Sequence, residues 1–400
     1  MVLERLTATP LAKIIRVLVA LVVGALPALA QQWKPYNELG DLYPAYAIAV
    51  SNLVPDAADR RDETLLGDLN GVMGISFIPT QANTTIKLAI RCDNSLKLFE
   101  PAVVEVVAQK VGVEYLIRPV IPFDQARLAA LKQSSTAYIT YTLTIDGQKP
   151  ASRTERLRVR SINDCPFAFV NEDKTGTSID FMFAAYVNED HPWIQAILQE
   201  ALQKNYVDAF IGYQGSKDDV YRQAMAIWRV LQERGIRYSS IETVTPASAG
   251  VMSQNVRLLD ESIRYTQSNC VDGTVLFASI LRKIAINPIL VVVPGHMFVG
   301  FDLDTDGDQQ AYLETTMLGL DARATKIANS RLYKTLLDTE TGLKAQVAAK
   351  SFVAALESGS RLFADSKSQL RHKREGYALI DIAVARQAGI APIMYIAAER

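Results

Sequence analysis

The sequence is poor in the two side chains that most often carry protein chemistry: its 400 residues include three cysteines and three histidines. These few residues are not clustered, so no metal site is expected, and no motif predicts a cofactor. Neither sign of charge dominates, since 42 lysines and arginines face 43 aspartates and glutamates. No overall field therefore draws the chain to nucleic acid or to a membrane surface.

Long apolar runs are also scarce, and the exception lies at the N-terminus. Val17–Ala25 follows three basic residues and precedes Ala28-Leu29-Ala30, a small-x-small cleavage pattern. Gly24 and Pro27 interrupt this stretch, which is shorter than the roughly 20 residues that span a bilayer. The pattern predicts a cleaved signal peptide at 1–30, with an uncleaved anchor as the alternative. We expect an exported, periplasmic or secreted protein with no membrane span in the mature chain.

The length and composition indicate several folded domains. The sequence is 49% hydrophobic and 21% charged, which excludes a disordered chain. Short runs rich in β-branched and aromatic residues predict strands and a β-sandwich-like domain over 31–170. The predicted strands of this domain are 45–53, 71–78, 85–92, 103–111, 136–145 and 156–162, with a short helix at 123–131.

Helical patterns then become frequent, which predicts an α+β fold for the chain. A second, α+β domain is expected at 178–320, followed by a helical C-terminal extension at 321–400 that packs on it. Ser216–Asp219 forms a capping box that predicts a helix start. The other predicted elements are a strand at 179–187, a helix capped by Asp190, a strand at 237–244, a helix at 259–265, helices at 323–336 and 345–356, a strand at 377–382 and a helix at 383–387.

The odd cysteine count leaves at least one thiol without a cysteine partner in an exported protein. Cys92 and Cys165 both lie in strand-like segments of the N-terminal region. One hypothesis joins them in a disulfide, which would stabilise so long a loop by about 4 kcal/mol. The alternative is two buried thiols. In either case Cys270 remains unpaired.

Cys270 stands at the start of a predicted helix. Apolar residues recur at helical spacing from Val271 to Ile284. The positive end of a helix favours a thiolate, and its unpaired N–H groups can bind an oxyanion. This position predicts a nucleophile, with a buried structural cysteine as the alternative.

His296 is the histidine that can serve Cys270 as a base. The apolar run Ile289–Val293 predicts a buried strand, and the pattern resumes at Met297 after Pro294-Gly295. His191 belongs to a helix-start motif, and His372 lies in a solvated basic stretch. We therefore predict His296 as the general base.

Strand geometry selects the third residue. Asp302 lies about 20 Å along the same predicted strand from His296, too far to orient its imidazole. If Asp304–Asp308 forms the turn of a hairpin, paired residue numbers sum to about 612, and Glu314 becomes a diagonal neighbour of His296 on one face. We therefore predict that Glu314 orients His296, with a solvent-facing strand acid as the alternative.

These residues resemble the transglutaminase-like branch of the papain-type cysteine enzymes. His296-Met297-Phe298 occupies the place of the H-x-W motif of that family, and Glu314-Thr315-Thr316 resembles its D-P-T motif. The resemblance covers about 180–320 and implies a papain-type α+β domain with a Cys270–His296–Glu314 triad. Glu replaces the usual Asp and Phe replaces the usual Trp. The family also contains proteins without known activity.

Two polar segments complete the prediction. Gln254 resembles the upstream residue of the family that binds the oxyanion, with a polar loop residue as the alternative. Asp302–Asp308 resembles half of a calcium loop, but Leu313 occupies the twelfth position where glutamate is required. We interpret it as a polar Asp-Gly hairpin turn, with weak calcium binding left open.

The favoured function is thiol-dependent acyl transfer on peptide or protein substrates, either as a peptidase or amidase or as a protein crosslinker. The alternative is a catalytically silent binding or scaffold protein of the cell envelope. The sequence leaves the oligomeric state open.

Overall fold

The structure is a computed structural model that describes residues 32–93, 96–170, 175–239, 248, 250–320, 322, 325–337 and 342–396. The predicted signal peptide at 1–30 lies outside these residues. The fold is of the mixed α+β class. Two compact units divide the chain, one drawn from 1–179, 245–254 and 388–400, the other from 180–244 and 255–387. Among the described helices, none combines the length and the apolar character needed to cross a bilayer.

The first unit contains three sheets. A four-stranded sheet has the order β1-β3-β6-β2, a second has the order β5-β4-β7-β8, and a three-stranded sheet has the order β10-β9-β12. The strands are β1 (Gln32–Asn37), β2 (Leu65–Gly67), β3 (Met73–Ile78), β4 (Thr84–Cys92), β5 (Ala102–Ala108), β6 (Tyr115–Arg118), β7 (Ser135–Ile145), β8 (Ala151–Val159), β9 (Asp164–Val170), β10 (Gly176–Ser178) and β12 (Val251–Asn255). The helices are α1 (Pro44–Ala49) and α2 (Gln125–Ala130).

The first predicted strand is wrong, because Pro44–Ala49 forms helix α1. Pro44 occupies the first turn, where its fixed φ and missing N–H fit a helix. All six residues of α1 are buried, so the segment lacks the polar face that reveals helical periodicity in a sequence. The predicted strands at 71–78, 85–92, 103–111 and 136–145 correspond to β3, β4, β5 and β7.

The disulfide hypothesis is also wrong. Cys92 lies at the end of β4 and Cys165 in β9, and both are present as thiols. Cys165 is fully buried. Burial, and then the charge of Asp164, raises the pKa of its thiol well above the ordinary value. Cys165 is therefore an inert core thiol.

The second unit is built around a four-stranded antiparallel sheet with the order β16-β15-β14-β17. Its helices are α3 (Pro192–Gln203), α4 (Lys217–Glu233), α5 (Leu259–Tyr265), α6 (Cys270–Lys283), α7 (Ser330–Leu337), α8 (Leu343–Arg371) and α9 (Ile382–Gln387). Its strands are β11 (Arg237–Tyr238), β13 (Gln267–Ser268), β14 (Pro288–Val293), β15 (His296–Asp302), β16 (Gln310–Leu313) and β17 (Ala378–Asp381).

Several local predictions fail in this unit. Asp180–Tyr186 is a 3₁₀ helix where a strand was expected. His191 replaces Asp190 as the N-cap of α3, because its Nδ1 accepts a hydrogen bond from the Trp193 N–H at 3.2 Å. Helix α8 continues to Arg371, well beyond the predicted end at 356. Only Arg237–Tyr238 of the strand expected at 237–244 forms β11, and 240–244 lies outside the described residues.

Other predictions in this unit are confirmed. The Ser216–Asp219 capping box starts α4, and α5 has the expected bounds, Leu259–Tyr265. The C-terminal strand β17 pairs with β14, so the segment after 321 contributes a strand to the sheet as well as helices.

Candidate active site

Helix α6 begins at Cys270 because Asn269 and Asp272 form a reciprocal capping box around its first turn. The Asn269 side chain accepts a hydrogen bond from the Asp272 N–H at 2.9 Å, and the Asp272 carboxylate accepts one from the Asn269 N–H at 3.0 Å. This reciprocal capping box fixes Cys270 as the first helical residue. The partly exposed thiol thus lies beside the N–H groups of the first helical turn, which have no carbonyl partner within the helix.

A buried ion pair anchors the same turn. Asp272 is fully buried, and its carboxylate accepts hydrogen bonds from Arg257 Nη1 at 2.8 Å and from the Arg257 N–H at 2.8 Å. Burial raises the pKa of Asp272, and the hydrogen bonds from Asn269 and Arg257 partly offset that rise. Arg257 could not be identified from the sequence, since the pair joins residues on separate elements. The loop before α5 is thereby tied to the start of α6.

His296 is the first residue of β15, directly after the tight turn Pro294-Gly295. Gly295 has φ +72°, which a side chain would strain. The turn pairs Val293 with His296 and places the imidazole at the end of the sheet. Its ring stacks on Phe298 with 6.2 Å between centroids. Phe298 therefore supports the ring from the next position on the same face of the strand.

Glu314 lies within hydrogen-bond distance of His296. The distance from His296 Nε2 to Glu314 Oε2 is 2.6 Å. Val299 pairs with Leu313 and Gly300 with Tyr312, which confirms the predicted register and makes Glu314 the diagonal neighbour of His296. An ionised carboxylate can only accept, so Nε2 carries the proton and Nδ1 remains for the thiol.

Glu314 is itself held from three directions. Its Oε1 accepts hydrogen bonds from the Thr316 N–H at 3.0 Å and the Thr316 hydroxyl at 2.6 Å. Its own N–H donates to the Ala355 carbonyl of α8 at 3.1 Å. The side chain is buried, and burial raises its pKa, but hydrogen bonds from His296 and Thr316 outweigh that effect and lower it overall. Glu314 is thus kept as a carboxylate.

Electrostatics make His296 a strong base. A hydrogen bond with Cys270, then the hydrogen bond with Glu314, raises the pKa of His296 to about 10, while burial opposes the rise. The thiol and the carboxylate therefore both contact one imidazole. Because both contacts stabilise the protonated imidazole, His296 can accept the thiol proton.

Thr274 is a site residue that the sequence did not single out. It is fully buried one turn after Cys270, and its hydroxyl donates to the Cys270 carbonyl at 2.7 Å. The same oxygen lies 3.3 Å from the Met297 carbonyl and 3.3 Å from Thr315 Oγ1. One contact is made with Cys270 itself. The other two are made with Met297, which follows His296, and with Thr315, which follows Glu314. The one sequence feature that could have pointed to Thr274 is its position four residues after Cys270, which places it on the same face of the helix.

The remaining predicted positions lie elsewhere. Asp302 ends β15, at the opposite end from His296, and accepts hydrogen bonds from Asn287 Nδ2 at 3.0 Å and Gln310 Nε2 at 2.9 Å. Gln254 lies in β12 of the first unit, and its predicted role as an oxyanion donor stays a prediction.

The Asp302–Asp308 segment is a polar hairpin turn, as expected. Gly307 has φ +68°, and the Asp308 N–H donates to Asp304 Oδ1 at 3.0 Å. Throughout the part of the chain that the structure describes, no group of three or more histidine, cysteine or acidic side chains is arranged to hold a metal ion.

Comparison with models of known protein families gives no match, and comparison with curated protein sequences gives none either. We therefore infer a function from the geometry of this site.

Proposed function

We propose that the protein is a thiol-dependent acyl-transfer enzyme of the transglutaminase-like, papain-type kind. The observation that carries the proposal is a single imidazole shared by a thiol and a buried carboxylate. His296 is hydrogen-bonded to Cys270 and, at 2.6 Å, to Glu314. Cys270 acts as nucleophile, His296 as general base and acid, and Glu314 as the group that orients His296 and stabilises its protonated form.

In the first half-reaction His296 accepts the thiol proton, and the Cys270 sulfur attacks the carbonyl carbon of an amide. The N–H groups at the start of α6 would stabilise the oxyanion. The carbon–nitrogen bond then breaks, and His296 gives its proton to the leaving amine. The acyl group remains on Cys270 as a thioester.

In the second half-reaction His296 takes a proton from the acceptor, which attacks the thioester carbonyl. The sulfur–carbon bond breaks, His296 returns the proton to the leaving sulfur, and the Cys270 thiol is regenerated. Water as acceptor releases a carboxylic acid and makes the protein a peptidase or amidase. A primary amine gives a new amide and makes it a crosslinking enzyme.

The setting of this activity follows from the sequence. The predicted signal peptide supports an exported, periplasmic or secreted enzyme, and peptides or proteins outside the cytoplasm are its substrate class. A β-sandwich-like arrangement of the N-terminal sheets is part of the same proposal, as is the assignment of 178–320 to the papain-type fold.

The decisive experiment incubates wild type and Cys270→Ala with a peptide mixture, with and without a primary amine, and identifies products by mass spectrometry. Hydrolysis adds water to the acyl product, whereas transamidation adds the amine. Both must vanish in Cys270→Ala and persist in the control Cys92→Ala.

The competing function, a catalytically silent scaffold, predicts no product in any sample. It also predicts that iodoacetamide alkylates Cys270 only as pH approaches about 8.5, the ordinary thiol range, with the same profile in His296→Ala. Such a profile would overturn the enzyme proposal.

A further inference from the structure

A dense group of positive charges lies at the C-terminal end of α8. We call residues 367–374 the basic rim. Its cationic members are Lys367, Arg371, Lys373 and Arg374. All four side chains are exposed, and Glu375 is the acid directly beside them. The rim is unusual in this chain, because acidic and basic residues are balanced over the whole sequence.

Sheet order places the basic rim at the edge that carries His296. Strand β14 ends, and β15 and β17 begin, at this edge: Val293 pairs with His296 on one side, and Val292 with Ala378 on the other. Strands β15 and β17 are two strand spacings apart, or about 10 Å. The rim ends four residues before Ala378, so its C-terminal end lies at this edge of the sheet.

Contacts between the chain directly after the rim and the turn before His296 support this placement. A Cβ on Gly376 would lie 3.4 Å from Pro294 Cγ. Tyr377 and Val293 pack against the same apolar cluster, which includes Leu370 and Phe298. The chain directly after the rim therefore adjoins the turn that positions the imidazole.

The rim is an ordered turn. The Arg374 N–H donates to the Gln369 carbonyl at 3.1 Å, and the Tyr377 N–H donates to the Arg374 carbonyl at 3.0 Å. His372 Nδ1 lies 2.7 Å from the Ser368 carbonyl. The backbone that carries the charges is thus fixed relative to the sheet edge.

Two arginines of the rim are available to a ligand. In the described parts of the chain, neither Arg371 nor Arg374 forms an ion pair with a carboxylate, whereas Arg257 near Cys270 is paired with Asp272 at 2.8 Å. The N-terminus of α6 adds a partial positive charge at Cys270 itself. An anionic group that approaches the thiol therefore experiences attraction from both sides.

We propose that the basic rim gives the site a preference for acidic peptides, whose carboxylate lies near the amide that Cys270 attacks. This inference rests on the proposed function and names its substrate class. At physiological ionic strength, screening reduces but does not abolish the attraction between the rim and an anionic substrate, and several cations act together.

Two reagents with the same reaction test the proposal. Iodoacetate and iodoacetamide both form a sulfur–carbon bond at Cys270 and release iodide, but only iodoacetate is an anion. The measured quantity is the ratio of their rates at Cys270. We expect this ratio to fall about two- to fivefold in Arg371→Gln/Arg374→Gln, because two screened attractions are lost.

The matched control is Lys217→Gln, an exposed cation at the start of α4. Gly212, shortly before α4, adjoins the carbonyl of Ile284 at the C-terminal end of α6, about 20 Å along that helix from Cys270 and more than two screening lengths away. The substitution of Lys217 should leave the ratio unchanged. A ratio that is equally unchanged in the double variant would overturn the proposal.

A salt series on the wild-type protein needs no substitution and stays decisive if the double variant does not fold. The ratio must fall as ionic strength rises, and a constant ratio would contradict a charged rim. The iodoacetamide rate alone reports the reactivity of Cys270. If alkylation is slow but the ratio of the two rates still falls with salt, the proposed enzymatic activity is rejected and the proposed role of the rim is not.

Discussion

At the scale of single residues, the charged and polar groups of the site act together to stabilise the protonated form of His296. Glu314 is buried and ionised, so it binds the imidazolium more strongly than a solvated carboxylate would. Glu314 is longer than the aspartate expected from the family resemblance, and the two hydrogen bonds from Thr316 hold it in place. The proposed reaction depends on this restraint.

Replacing Glu314 by glutamine removes the charge and keeps the shape. An amide can present its NH₂ group to Nε2, which favours the wrong tautomer of His296. We expect acyl transfer to fall on the order of 100-fold. Asp302→Asn, on the same sheet but at the far end of β15, should change the rate much less. Equal losses in the two variants would contradict the assignment of Glu314.

The pH dependence of stability follows from the same residue. The pKa of His296 rises from 6.5 to about 10 on folding, so the folded protein holds this proton more tightly than the unfolded chain. The resulting stabilisation is complete below pH 6.5 and is lost as pH rises toward 10. Urea unfolding should therefore show a larger difference between wild type and His296→Gln at pH 6 than at pH 9.5. An equal difference at the two pH values would contradict the raised pKa of His296.

At the scale of helices and strands, the site could be predicted where the local pattern was sufficient. The helical spacing after Cys270 and the register of β15 with β16 were predicted from the sequence, whereas the Asn269–Asp272 capping box and the hairpin that Pro294-Gly295 makes between β14 and β15 were not. Buried segments without periodicity, such as Pro44–Ala49, were assigned wrongly. Thr274 and Arg257 could not be assigned a role, because their contacts join residues that only tertiary packing brings together.

Thr274 couples the three elements of the site. Thr274→Val keeps the volume but loses the hydroxyl that contacts α6, β15 and Thr315. We expect Cys270 alkylation to slow about tenfold, with a shifted pH profile, and Thr274→Ser to restore both. Ser279→Ala is the matched control, since Ser279 is also buried on α6 and bonds the carbonyl four residues earlier. It should lower stability without changing the pH profile.

Gly359 allows α8 to approach β16 closely. A Cβ at this position would lie 2.5 Å from the Tyr312 carbonyl oxygen, a backbone atom that cannot move independently. We expect Gly359→Ala to lower the free energy of unfolding by about 1–3 kcal/mol in urea denaturation. The neighbouring exposed Ser360→Ala should stay within about 0.5 kcal/mol of wild type. The reverse order of the two variants would refute the close packing.

At the scale of the whole molecule, the three cysteines should separate by environment. Cys270 is partly exposed beside a base, whereas Cys165 is fully buried and inert. Iodoacetamide should label Cys270 first in the native protein, and Cys165 only after denaturation. Mass spectrometry of protein denatured without reductant should then find three labels. A total of one label would restore the Cys92–Cys165 disulfide.

The pairing of β17 with β14 has a consequence for synthesis. Cys270 and His296 emerge from the ribosome well before Ala378–Asp381, which pair with β14. At about 5–20 residues per second, the apolar strand Pro288–Val293 waits on the order of ten seconds for this outer neighbour. A nascent chain thus carries its nucleophile before its sheet is complete, and the open edge of β14 is where a chaperone or a second nascent chain would pair.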